Sequence, residues 1–190
     1  MTQHERPPSA RRDELLERAY RYAVEHGLAE LSLRPLAAAI GSSPRVLLFL
    51  FGSKDELIRA LLARARADEL AALGRAREAG GHDDFAAAVR ATWGWLVDPR
   101  HRPMLVLWLQ AYARSLSEPD GPWAGFARQT VEDWLGLLAE FQRGADGSSD
   151  PALGLALLRG ALLDLLATGD AERATAAVER YLDLIGATAG

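Results

Sequence analysis

Apolar residues recur every three or four positions along nearly the whole chain, and no strictly alternating run rich in β-branched residues interrupts them. That periodicity predicts an all-α protein. Leu15, Leu16, Ala19, Tyr20, Ala23 and Val24 share one face of a first helix, which Gly27 stops. Ser32 is placed to cap a short second helix through Ile40, with Pro35 tolerated in its first turn and Gly41 beyond its end. A third helix follows, with Ser43 at the cap, Pro44 at the first position and Gly52 after Phe51. Ser53-Lys54-Asp55-Glu56 reads as a capping box opening a long fourth helix to about Glu78. Break signals at Gly80-Gly81, Asp98-Pro99, Glu118 to Pro122, Gly144 to Pro151 and Gly169-Asp170 divide the remainder. They predict helices near 83–97, 102–117, 122–142, 151–168 and 171–186, with Asp83-Asp84 as a helix start. Residues 1–10 are expected to be a mobile arm and 144–150 a flexible loop.

Composition narrows the classes. The chain has 190 residues, 49% hydrophobic and 25% charged, which suits one soluble globular domain or a domain carrying a small module. The absence of cysteine excludes disulfides, thiolate metal sites and a cysteine nucleophile, and fits a reducing cytoplasm. No uninterrupted apolar run approaches the roughly 18 residues of a membrane span, and the start is too polar for a signal peptide. The expectation is a soluble, unexported, cytoplasmic chain without a membrane partner. Its net charge of −4 hides an asymmetry: through Arg66 there are 11 basic and 8 acidic residues (+3), and beyond it 11 and 18 (−7). A basic end on an acidic body points to a partner with phosphates.

Leu33 to Phe51 places two short helices around a tight glycine turn, with Ala37 and Ala38 as small residues where the helices cross. This is a helix-turn-helix by layout, although an ordinary helical hairpin has the same outline. The run SLRPLAAAIGSSPRVLLFLFGSKDEL, Ser32 to Leu57, resembles the amino-terminal domain of TetR/AcrR-type transcriptional repressors. The matching positions are Ser32, Leu36-Ala37, Gly41, Ser43, Leu47, Phe51 and the Ser53-Lys54-x-x-Leu57 entry into the fourth helix. The resemblance implies a three-helix DNA-binding module over 11–53 and a helical ligand-binding and dimerisation domain over 54–190. It also implies a homodimer whose paired modules enter successive major grooves of a double-stranded operator, with the long fourth helix linking effector binding to module spacing.

Within that frame, Lys54 stands at a helix N-terminus, where free amides already favour a phosphate. Arg45, on the exposed side of the third helix, is the candidate for reading a guanine edge, and Ser42 and Ser43 could donate to phosphate or base. Arg11, Arg12, Ser32 and Arg34 complete the expected DNA-binding set. The third helix departs from the family pattern: Val46, Leu48 and Phe49 stand where polar residues are usual. Leu48 and Phe49, directed outward, could touch thymine methyls or another protein.

Nine of the fourteen aromatic residues, including all five tryptophans, lie between Phe85 and Phe141. Trp123, Phe126, Thr130, Trp134, Leu137 and Phe141 form a stripe at helical spacing, with Trp93 and Trp108 on neighbouring helices. Most of these suit a core. Trp93, Trp108, Phe126 and Trp134, with Gln110, Tyr112 and Thr130 as polar groups, are also the candidates for lining an apolar or aromatic effector site. The helix over 151–168 is apolar nearly all round, with Arg159 and Asp164 its only charges, so it must be covered on several sides. Leu157, Ala161, Leu162 and Leu165, with Tyr181 of the last helix, are the expected dimer contacts.

An enzyme reading finds no support. The four histidines are scattered, no paired-carboxylate or metal-ligand spacing occurs, and no glycine-rich phosphate loop follows a strand. No cofactor, metal or catalytic residue is expected. The alternative to a ligand-responsive repressor is a helical protein-interaction module with a weakened helix-turn-helix.

Overall fold

The computed structural model describes residues 8–28, 31–80, 85–140 and 150–188. Among these residues there are helices and turns and no strand. The helices are α1 (Pro8–His26), α2 (Leu33–Ala39), α3 (Pro44–Phe51), α4 (Lys54–Gly80), α5 (Phe85–Val97), α6 (Arg102–Ser117), α7 (Phe126–Ala139), α8 (Pro151–Thr168) and α9 (Ala171–Thr188). A 3-10 turn over Pro99–His101 joins α5 to α6. Residues divide into two compact units, one of 1–67 with 106–127 and one of 68–105 with 128–190.

The first unit is built on α1. Its inward face, Leu15, Ala19, Tyr20 and Ala23, is buried with Leu28, Leu36, Ala37, Ile40, Leu47 and Phe51 from the following elements. Leu57, Ile58, Leu61 and Leu62 of α4 and Leu107, Trp108 and Ala111 of α6 are also buried there. Arg64 of α4 pairs with Glu17 and lies 4.8 Å from the Tyr20 ring centroid, so α1 and α4 are also joined along a polar edge.

The second unit is centred on α5, α8 and α9 packing mutually. Leu155, Leu158, Ala161, Leu162 and Leu165 of α8 are buried with Phe85, Val89, Trp93 and Leu96 of α5 and Ala174, Val178 and Leu182 of α9. Gly154 is needed at that crossing: a Cβ there would lie 2.7 Å from Cζ of Phe85. By length and apolar content α8 would also pass as a membrane span. Its buried face and the ion pair from Asp164 to Arg173 of α9 at 2.7 Å suit the core helix of a packed unit instead.

Several boundaries differ from the sequence expectation. The expected arm ends earlier, because α1 already begins at Pro8. The helix expected over 122–142 starts at Phe126, after turns over 119–120 and 122–125. Trp123 is 2% exposed in that turn, beneath the Arg114 guanidinium 5.3 Å away, so its place in the apolar stripe reflects tertiary packing rather than helical phase. Asp83-Asp84, Phe141 and residues 144–149 of the expected loop lie outside the described residues, and Asp150 at the loop's end caps α8.

Candidate nucleic-acid interface

Local chemistry explains the turn between α2 and α3. The α2 helix ends in a pair of reversed hydrogen bonds, Ser42 N–H to Ala37 O at 2.8 Å and Gly41 N–H to Ala38 O at 3.3 Å. That closure needs a left-handed residue, which Gly41 supplies at φ +67°. The chain then re-enters a helix with its axis turned by 101°. Ser43 caps α3, its Oγ accepting from Val46 N–H at 3.2 Å, and Pro44 sits in the first turn. Two short helices crossing near a right angle with a glycine between them form a helix-turn-helix.

The roll of α3 about its axis is set from both sides. Leu47 and Phe51 are 1% and 6% exposed, and the guanidinium of Arg12 in α1 lies 4.9 Å from the Phe51 ring centroid. Arg18 of α1 donates to the Ile40 carbonyl at 3.3 Å and holds the end of α2. These contacts turn Arg45, Val46, Leu48 and Phe49 to solvent. Arg34 and Lys54 are exposed as well. Arg34, Arg45 and Lys54 carry no hydrogen bond or ion pair among the described residues. Lys54 opens α4, where the Ser53 hydroxyl accepts from Glu56 N–H at 3.1 Å. Only half of the expected capping box forms in this way, because the Glu56 carboxylate turns to Arg59 at 2.6 Å.

Other expected DNA-facing residues are placed differently. Arg11 is half-buried and paired with Glu14 at 2.9 Å. Arg12 is half-buried over Phe51 and orients α3. Ser32 occupies the α2 cap position with extended backbone, but its side chain makes no cap hydrogen bond. Ser42 is a correction: its Oγ is buried and unpartnered, because closing α2 turns the side chain away from solvent.

A family model for bacterial regulatory proteins of the tetR family matches residues 15–61, the stretch from mid-α1 into α4. Over this stretch the chain is similar to the tetR family. An HTH-type transcriptional regulator of Mycobacterium tuberculosis, Rv1816, is 34% identical over 87 residues, 44% of this chain. That match takes in only 37% of the relative's length. Among solved structures, a Rhodococcus transcriptional regulator has the same fold with a TM-score of 0.74, at 23% identity over 92% of this chain and 95% of its own. The multidrug binding protein EbrR, solved with imidazole, aligns with a TM-score of 0.66 at 26% identity over 90% of this chain and 89% of its own. The TetR match coincides with the helix-turn-helix whose geometry is described above.

The candidate effector residues fall in both units. Trp108, Gln110, Tyr112 and Phe126 belong to the first. There the Trp108 and Tyr112 rings lie 5.1 Å apart, and the Gln110 amide oxygen accepts from Leu28 N–H at 3.4 Å. Trp93, Thr130 and Trp134 belong to the second, all buried. Trp93 Nε1 donates to Thr175 Oγ1 at 3.0 Å, and Trp134 Nε1 to the Glu69 carboxylate at 3.0 Å. Glu69, 3% exposed, escaped the sequence reading although it falls on the stripe of Leu62, Ala65 and Ala72 at helical spacing. A cavity of about 380 Å³ in the second unit, lined by Leu96, Pro99, Arg102, Leu105, Leu165 and Leu166 among others, contains none of the seven candidates. No cluster of three metal-ligating side chains occurs among the described residues.

The dimer candidates divide by burial: Ala161, Leu162 and Leu165 are 8%, 3% and 8% exposed in the single chain and face its own core, while Leu157 and Tyr181 are half-buried. The exposed face of α8 is Leu153, Ala156, Gly160, Leu163 and Ala167, spaced three and four apart. An apolar helix with no polar stripe does not reveal which side meets its own core.

Proposed function

We propose that this chain is a ligand-responsive transcriptional repressor that binds palindromic operator DNA as a homodimer and is released by a small apolar or aromatic effector. The observation that carries the reading is the set of exposed cations of the helix-turn-helix, Arg34 of α2, Arg45 of α3 and Lys54 at the start of α4, which have no partner among the described residues. Unpaired guanidinium and ammonium groups beside a helix of major-groove dimensions suit phosphates and a guanine edge. The exposed stripe of α8, Leu153 to Ala167, supports the homodimer, because a matching stripe from a second copy would remove it from water. The effector reading draws on the buried aromatic side chains of the two units, among them Trp93, Trp108, Phe126 and Trp134, and on EbrR, whose structures hold imidazole, proflavin and malachite green. The α4 helix, contributing residues to both units, is the proposed lever; coupling through it must be reciprocal, operator weakening effector as much as effector weakens operator.

The test is selection of binding duplexes from random DNA, followed by gel shift with variants. Arg45→Ala is expected to relax base preference at one position of each half-site. Lys54→Ala is expected to weaken all duplexes alike and reduce the salt slope by about 1. Wild-type selectivity and affinity in both variants would overturn the placement of α3. The second reading, a protein-interaction module, rests on the 82% exposure of Phe49 and would be favoured if no duplex were selected.

A further inference from the structure

The outward face of α3 is largely apolar although the helix carries an exposed cation, Arg45. Val46, Leu48 and Phe49 are 38%, 41% and 82% exposed, while Leu47 and Phe51 of the same helix are buried. Scattered surface apolar residues need no explanation, but three on one eight-residue helix form a patch with something to cover. Arg45 precedes Phe49 by four residues and so shares its side of the helix, leaving a guanidinium and a phenyl ring adjacent on one ridge. The Arg12 stack on Phe51 and the Ser43 cap fix the helix, so this ridge is presented in one orientation.

The occupant must satisfy both halves of the ridge. A wholly apolar surface would leave Arg45 desolvated and unpaired, and Arg34 and Lys54 of the same helix-turn-helix, exposed and without a partner among the described residues, add positive charge. Duplex DNA meets both demands, because its backbone is anionic and its major groove exposes one apolar group, the C5 methyl of thymine. Resting on the proposed function, we propose that Phe49, flanked by Val46 and Leu48, is a specificity-determining residue that reads thymine C5 methyl groups beside the base read by Arg45. The operator half-site would therefore carry thymine next to the Arg45 position, selected by burial of a methyl group rather than by a hydrogen bond.

Replacing thymine by deoxyuridine removes only that methyl, so the test alters the DNA and leaves the protein untouched. In a duplex selected by the wild-type chain, each thymine is replaced in turn and affinity measured by gel shift. Burial of one methyl group corresponds to about a fourfold change in affinity, so that loss is expected at one or two positions per half-site. Phe49→Ala, a change at an exposed site, is expected to keep helicity and thermal midpoint and to bind thymine and uracil duplexes equally. Indifference of the wild-type chain to every replacement would overturn the inference while leaving DNA binding standing. Discrimination that survives in Phe49→Ala would overturn the assignment to this residue. Failure to select any duplex would overturn the proposed function, and this inference with it.

Discussion

The indole Nε1 of Trp134 donates to the carboxylate of Glu69 at 3.0 Å, with both residues almost fully buried in the second unit. A carboxylate out of water depends on such donors, and the indole N–H depends equally on its acceptor. Glu69→Ala leaves that N–H without its partner and is expected to lower stability by about 1–3 kcal/mol. Glu69→Gln keeps an oxygen acceptor and should cost less. Urea unfolding followed by tryptophan fluorescence measures both, and equal stability of the alanine variant and the wild type would show that the bond contributes nothing.

Gly154 and Gly160 sit on one helix and should answer oppositely to the same substitution. Gly154→Ala drives a Cβ to 2.7 Å from the Phe85 ring and is expected to destabilise the second unit by about 1–3 kcal/mol. In the single chain Gly160 has nothing within 4 Å of the added Cβ, so Gly160→Ala should raise helix stability by about 0.5–1 kcal/mol in a chain kept monomeric by Leu163→Asp. Thermal unfolding at a concentration where both variants share one oligomeric state makes the comparison.

Leu162 and Leu163 are neighbours on α8 with different surroundings, 3% and 48% exposed. Leu163→Asp is expected to give a folded monomer, because it places charge in the proposed dimer stripe. Leu162→Asp buries that charge in the core and should cost about 3 kcal/mol or more, giving unfolded or aggregated chain. Sedimentation velocity with circular dichroism separates these outcomes, and a dimeric Leu163→Asp would move the interface elsewhere.

Asp98 supplies an acid-sensitive contact at the α5–α6 junction. The Arg100 guanidinium, and then the Arg100 backbone N–H, lower its carboxyl from 3.8 to about 2. Because the folded value lies below the unfolded one, the stabilisation is complete above pH 3.8 and is lost as pH falls through about 2. Asp98→Asn should therefore lower the unfolding midpoint at pH 5 and make little difference near pH 2, as read by urea titrations at the two values.

The helix ends around the helix-turn-helix were legible from sequence because each is set within a few residues. Gly41 closes α2, Ser43 opens α3, and the alternation of Leu47 and Phe51 with Leu48 and Phe49 already separates the inward from the outward side. The family motif covers the same stretch, so pattern and resemblance agreed there. What sequence left open were choices among chemically equivalent options. The α8 helix is apolar nearly all round, and only its packing against α5 and α9 decided that Leu162 faces inward and Leu163 outward. Arg12 could have met solvent, a phosphate or a ring, and the position of Phe51 on another helix decided for the ring. Ser42 looked available until closure of α2 buried its hydroxyl, and the acceptor for the Trp134 indole, Glu69, comes from a helix distant in sequence. Sequence by itself determined the helices and the face that α3 turns outward, because caps, glycine turns and periodicity act over a single helical turn. Tertiary structure alone decided the partners of Arg12, Glu69 and α8, because those depend on side chains brought together from distant parts of the chain.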